Sequence, residues 1–140
     1  MSRVVLDTSV LVSAVISPHG PNAEVFDLIA GDRIVPCISA QVVDEYYRVF
    51  SYQRLQHLDR DRITKLLSLI EAVSRTVRPK RRLTVSSHGD DNRIYECAAA
   101  ANAHYIVTEN TRHFKEPYKT TRIVNARQLL KLLGSGAEDE

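Results

Sequence analysis

Short apolar runs alternate with stretches of helical period along the chain, and this alternation narrows the architecture more than any other feature. Val4, Val5 and Leu6 read as a buried strand, as do RIVPCIS, HYIVT and TTRIVN further on. Between them the apolar residues recur at helical spacing, as in Val42, Val43, Tyr46, Tyr47 and Phe50, or Ile63, Leu66, Leu67, Ile70 and Val73. Strands separated by helices need crossover connections, so the pattern predicts an α/β fold with a mostly parallel sheet. The expected order is strand 3–6, helix 9–16, a SPHGPN loop, helix 22–30 stopped at Gly31, and a strand across RIVPCIS. There follow helix 40–52 capped by Ser39, helix 60–74, a short strand within RTVRPKRRLTV, and helix 92–101 opened by Asp91. HYIVT, a TRHF loop or turn, TTRIVN and helix 126–133 complete the series. Pro36 pushes the second strand toward a sheet edge or a strand end, because proline donates no ladder bond. Residues 1–133 are therefore expected to form a single domain, with 134–140 (GSGAEDE) a flexible acidic tail.

A chain of 140 residues with 44% hydrophobic and 26% charged residues can bury a substantial core. Its net charge of +2 does not announce a nucleic-acid binder, so charge has to be located along the chain. Cys37 and Cys97 lie far apart among apolar or small residues, which reads as two buried thiols in a reducing compartment. No run approaches the roughly 20 apolar residues of a membrane span. The N-terminal apolar run breaks at Asp7, unlike a signal peptide. A cytoplasmic location with no membrane partner is expected. The turn after the first strand lacks the glycines of a dinucleotide site, and no Ser-His-Asp or Cys-His arrangement is visible.

A carboxylate at Asp7, where a buried strand gives way to a helix, is costly unless something pairs with it. Glu45 lies between Val42 and Val49 and so borders the apolar face of its helix, while its neighbour Asp44 is rotated about 100° toward solvent. Taken alone, Glu45 reads first as a salt-bridge or boundary residue. Asp90 and Asp91 open a helix, where acids commonly cap the backbone and oppose the dipole. Thr108, Glu109 and Asn110 end a strand, where such residues commonly make turns. Taken together, Asp7 and Asn110 follow the carboxyl ends of two strands, and ligands of open α/β sheets sit there. Carboxylates gathered in one crevice repel one another, and a hard divalent cation with oxygen ligands, Mg²⁺ or Mn²⁺, relieves the conflict. The five histidines (His19, His57, His88, His104 and His113) are scattered, with His113 alone a candidate for lying near the acids. No His or Cys cluster has zinc spacing.

At these residues the sequence resembles the PIN-domain family, from VVLDTSVLVSAV through VDEYYRVF and GDDNRIYECAAAANAHYIVTEN to the last helix. It looks most like the branch of toxin components of toxin–antitoxin pairs. The resemblance implies a three-layer α/β/α sandwich around a central parallel sheet, and a metal-dependent ribonuclease. It implies that Asp7, Glu45 and Asp91 bind metal, with Asp90 the alternative register for the third, and that the fourth acidic position falls on Asn110. Ser9 and Thr108 are the supporting residues, Ser9 by orienting Asp7 or a metal-bound water. Asn110 departs from the acidic pattern; its amide oxygen can ligate Mg²⁺ but brings no charge. One tightly held cation is therefore expected, with a second recruited only by substrate phosphate. Glu109 is expected to point elsewhere.

These assignments predict metal-assisted hydrolysis of RNA phosphodiesters. Basic residues must offset the acids toward RNA. RTVRPKRR is the densest positive run, but Arg112 and Lys115 follow Asn110 closely and are the expected phosphate contacts. An antitoxin protein and a second copy of the chain are the implied protein partners. Two rival readings stand beside this one. The first is a catalytically weak module that binds RNA or protein, for which Asn110 would mark a degraded site. The second, ranked below it, is a receiver-like or phosphatase-like domain with Asp7 as phosphoacceptor, which lacks the expected second acid close to Asp7.

Overall fold

The computed structural model describes residues 1–138. In chain order these form β1 (Ser2–Leu6), α1 (Thr8–Ile16), α2 (Pro21–Ala30), β2 (Ile34–Ile38), α3 (Ala40–Phe50) and a 3-10 turn at Gln53–Leu55. There follow α4 (Arg60–Val73), β3 (Arg75–Thr76), α5 (Gly89–Ala101), β4 (Tyr105–Val107), β5 (Arg122–Val124) and α6 (Ala126–Glu138). The strands form one sheet in the order β3-β2-β1-β4-β5, and every pairing is parallel. The chain steps outward from β1 to β3, then returns to the other side of β1 for β4 and β5. Strand order therefore reverses between β1 and β4, and the carboxyl ends of these two strands frame the crevice.

Val4, Val5 and Leu6 are all buried, as a strand covered on both faces requires. α5 packs on β1, β2 and β4, while α1 packs on β1, and α2 and α4 pack on β2. The result is a three-layer α/β/α sandwich with a central parallel sheet. α3 spans the layers at one end, touching both α1 and α5. Its Ser39 hydroxyl accepts the Val42 N–H at 3.2 Å, the expected cap. Tyr46, only 1% exposed, donates its phenol O–H to the Leu6 carbonyl at 2.5 Å and pins α3 to the end of β1. At the far end of α5, Arg3 of β1 donates to the carbonyls of Ala101 and Asn102, a cation placed where the helix leaves carbonyls free.

Several boundaries differ from the sequence reading. α1 starts at Thr8, with Asp7 as a cap residue whose carboxylate makes no cap bond because neighbouring hydroxyls occupy it. α3 ends at Phe50, and the 3-10 turn follows. α5 begins at Gly89 with His88 as its cap residue, so Asp90 and Asp91 sit inside its first turn. β2 is not the edge strand. However, β3 reaches only Cys37 and Ile38, so at Pro36 β2 has a strand on one side only, which a residue without N–H tolerates. α6 continues through the segment expected as tail to Glu138, and residues 139–140 lie outside the described residues. No described helix is long and apolar enough to cross a membrane.

Candidate metal centre

Asp7 is fixed before any ligand is considered. Its N–H donates to the Val107 carbonyl at 2.9 Å, locking the end of β1 to β4. Its Oδ2 accepts the Ser9 hydroxyl at 2.6 Å and the Thr108 hydroxyl at 2.8 Å. Each of those hydroxyl oxygens in turn accepts a backbone N–H at 2.9 Å, Glu109 to Ser9 and Asn110 to Thr108. An ionised carboxylate can only accept, so both hydroxyl protons are given to Asp7. Thr108 is fully buried and acts on the cleft only through Asp7 and the loop after β4.

Three other elements bring their residues to the same place. α3 supplies Glu45, the first turn of α5 supplies Asp91, and the loop after β4 supplies Asn110. With Asp7 and Ser9 they line one open cleft of about 710 Å³. Asp91 is buried, and its Oδ2 has no hydrogen-bond partner. The His113 Nδ1 lies 3.6 Å from it, beyond hydrogen-bonding reach.

The electrostatics follow from this crowding. Burial, then the charges of Asp90 and Asp7, push the Glu45 carboxyl from 4.5 up to about 7, against the pull of Arg48. Burial, then Asp7, raises Asp91 from 3.8 to about 6, against His113 and His88. Five carboxylates, Asp7, Glu45, Asp90, Asp91 and Glu109, border the cleft against one arginine, Arg54. Carboxylate, amide and hydroxyl oxygens together with an orphaned carboxylate oxygen are a donor set that fits a hard divalent cation.

The remaining acids are engaged elsewhere. Glu109 borders the cleft but its Oε2 accepts the Ala126 N–H at 3.1 Å, capping α6. Asp90, the alternative register for the third acid, also borders the cleft, but it is exposed and pairs with Arg48 at 3.4 Å. Arg112 and Lys115 do not line the acid cleft. They line a separate hollow of about 240 Å³, and His88 and His113 border both. Arg78, Lys80 and Arg81 of the basic run line a third hollow, beside Ala99 and Ala100. Along α5 that is about 12 Å from Asp91 at 1.5 Å per residue.

Two histidines are not scattered. The His88 and His113 rings stack at 4.2 Å, next to Asp91. Nothing in their sequence spacing signals the pair; the available hints were that His88 immediately precedes α5 and that His113 follows Asn110 within one turn.

Fold and site together define a parallel α/β domain with an acid-lined cleft at its switch point. The chain belongs to the PIN-domain family, whose model matches residues 3–112. It is 31% identical over 103 residues to an uncharacterized protein of Methanocaldococcus jannaschii, a match covering 72% of this chain. The chain spans 66% of the length of that relative, just under two thirds. Its fold resembles a chain in the crystal structure of VapBC2 from Rickettsia felis bound to a DNA fragment from their promoter. That likeness has a TM-score of 0.59 and 19% identity, over 88% of this chain and 98% of that one. It also resembles a chain of DNA-bound VapBC from Salmonella typhimurium, with a TM-score of 0.60 and 16% identity over 90% and 99%.

Proposed function

We propose that this chain is a divalent-metal-dependent endoribonuclease and the toxin component of a toxin–antitoxin pair. One observation carries the reading: residues remote in sequence, Asp7, Glu45, Asp91 and Asn110, line a single cleft in which burial and neighbouring acids raise the proton affinity of Glu45 and Asp91. Membership of the PIN-domain family supports nuclease chemistry, and the likeness to chains of VapBC complexes supports the toxin–antitoxin assignment.

On this reading Asp7, Glu45, Asp91 and Asn110 hold Mg²⁺ or Mn²⁺. Such an ion, when bound, supplies positive charge toward a phosphate oxygen and makes a water more acidic. The chain's own residues set the stage. Ser9 and Thr108 hold Asp7 Oδ2, which fixes the carboxylate's orientation toward the cleft. Asn110 contributes a neutral oxygen, so the set favours one tightly held cation. Arg112 and Lys115, across the His88–His113 pair, serve the RNA backbone as it leaves the cleft, and Arg78, Lys80 and Arg81 extend the positive surface along α5. The protein partners are an antitoxin and a second copy of this chain; Ile16, Tyr47 and Val73 supply exposed apolar surface. The cytoplasm is where its RNA substrate lies.

The test is Asp7→Asn, with RNA cleavage followed in Mn²⁺. Loss of at least about 100-fold is expected, because the carboxylate charge is removed while the shape is kept. Undiminished cleavage by a clean preparation overturns the assignment. Asn110 favours one second reading, a module that binds RNA or protein without cutting it. A wild-type protein that gives no Mn²⁺-stimulated cleavage at any pH would support that reading instead.

A further inference from the structure

We infer that His88, Asp91 and His113 form a binding site for a borderline divalent transition-metal ion, such as Zn²⁺, beside the oxygen-only set that suits Mg²⁺. The inference does not depend on the nuclease reading, although the two sites share Asp91.

Each of the residues offers a ligand atom, and these atoms all lie within 4.8 Å of one another. The carboxylate among them is the one whose buried Oδ2 lacks any hydrogen bond. A buried carboxylate oxygen that faces imidazole nitrogens without a hydrogen bond is costly as it stands and is satisfied by a cation between them. A tetrahedral ion about 2.1 Å from its ligands needs them roughly 3.4 Å apart. The side chains therefore have to close by up to about 1.4 Å, which two exposed imidazoles can do by rotation.

The backbone around them is built rather than loose. Asn92, buried in α5, grips Ser86 in both directions: it accepts the Ser86 N–H at 2.8 Å and donates to the Ser86 carbonyl at 2.9 Å. The Ser86 hydroxyl accepts the His88 N–H at 3.1 Å and donates to the His113 carbonyl at 3.4 Å. One serine thus ties together the segments that carry the two histidines. The Asp91 N–H donates to the His88 carbonyl, and the His113 N–H to the Asn110 carbonyl, so each ligand's segment is also held locally.

Ligand chemistry sets the selectivity. Mg²⁺ prefers hard oxygen donors and keeps its waters, whereas imidazole suits Zn²⁺ and its transition-metal neighbours. The simpler alternative is that His113 forms only a pH-dependent ion pair with Asp91, and that His88 merely stacks on it.

The experiment titrates the metal-free full chain with Zn²⁺ and, separately, Mg²⁺ by calorimetry at pH 7.5. Wild type, His88→Ala, His113→Ala and Glu45→Gln are compared, with Co²⁺ absorption as a second probe. Both histidines are exposed, and circular dichroism checks that their variants stay folded. The expected result is one Zn²⁺ site that each histidine variant weakens at least about tenfold and Glu45→Gln leaves in place, with Mg²⁺ binding unmoved by the histidine changes. Loss of the Co²⁺ visible bands in the histidine variants supports the same conclusion. Unchanged Zn²⁺ affinity in both histidine variants overturns the site, as does zinc binding lost in Glu45→Gln but kept without the imidazoles. Because the readout is metal binding, a protein that fails to cleave RNA can still pass this test, and an active nuclease can fail it.

Discussion

Glu45→Gln should stabilise the metal-free protein at neutral pH and leave it unchanged in acid. In the folded state the Glu45 carboxyl is raised from 4.5 to about 7. The folded protein then holds the proton more tightly than the unfolded chain does across that interval, so ionisation opposes folding as pH rises. The penalty is absent below about pH 4.5 and complete above about pH 7. At about 1.4 kcal/mol per pH unit the shift corresponds to roughly 3 kcal/mol at full weight. Glu45 is only half-buried, and solvent screening removes about half, leaving about 1–2 kcal/mol. Glutamine keeps the size and stays neutral throughout. The variant should therefore unfold about 3–7 °C higher than wild type in EDTA at pH 8, given the entropy of unfolding for a chain this long. The two should coincide at pH 4.5. Adding Mg²⁺ or Mn²⁺ at pH 8 should close or invert the gap, because the cation binds the carboxylate it needs. The assay is thermal unfolding of both proteins from pH 4.5 to 8, with EDTA and with metal. Parallel curves in EDTA, with no growing gap between pH 5 and 7, would refute the claim that burial and the neighbouring acids disfavour a charged Glu45 in this cleft.

Tyr46→Phe removes the buried phenol bond to the Leu6 carbonyl. It should cost about 1–3 kcal/mol in urea unfolding, and a change below about 0.5 kcal/mol would mean that α3 is held to β1 by packing alone. Cys37 and Cys97 are free, buried, and raised by burial, Cys97 up to about 12. Both should resist a thiol reagent at pH 7.5 until denaturant is added, and prompt labelling of the native protein would contradict their burial.

Much of this was legible in the sequence because the informative residues sit at element ends. An apolar run cut by Asp7, and another followed by Thr108 and Asn110, announce strand termini, and the parallel sheet aligns those termini at one edge. Helical spacing beside Val42 and Val49 put Glu45 at the border of the apolar face, while its place among the acids was implied only by the family resemblance. What escaped depends on how loops fold back. His88 and His113 meet because Ser86 joins two separate segments, a contact with no periodicity. Glu109 is expected to point elsewhere, but its destination, the Ala126 N–H at the start of α6, depends on where α6 packs. Arg112 and Lys115 are near Asn110 in sequence, yet the turn at His113 carries them around the imidazole pair into another hollow. The start of α5 was missed because His88, Gly89 and Asp90 read as loop residues, and the helix begins before its apolar pattern does.

The bond from Thr108 to Asp7 joins residues 101 positions apart. A ribosome-bound chain that has emerged only as far as β3 owns Asp7 and Glu45 but not the strand that must lie against β1. Until β4 slots in, the inner margin of β1 is an open seam, attractive to other unfinished chains. The cleft cannot be complete before β4 is in place, and a fragment cut before Tyr105 should lack it and be prone to clump.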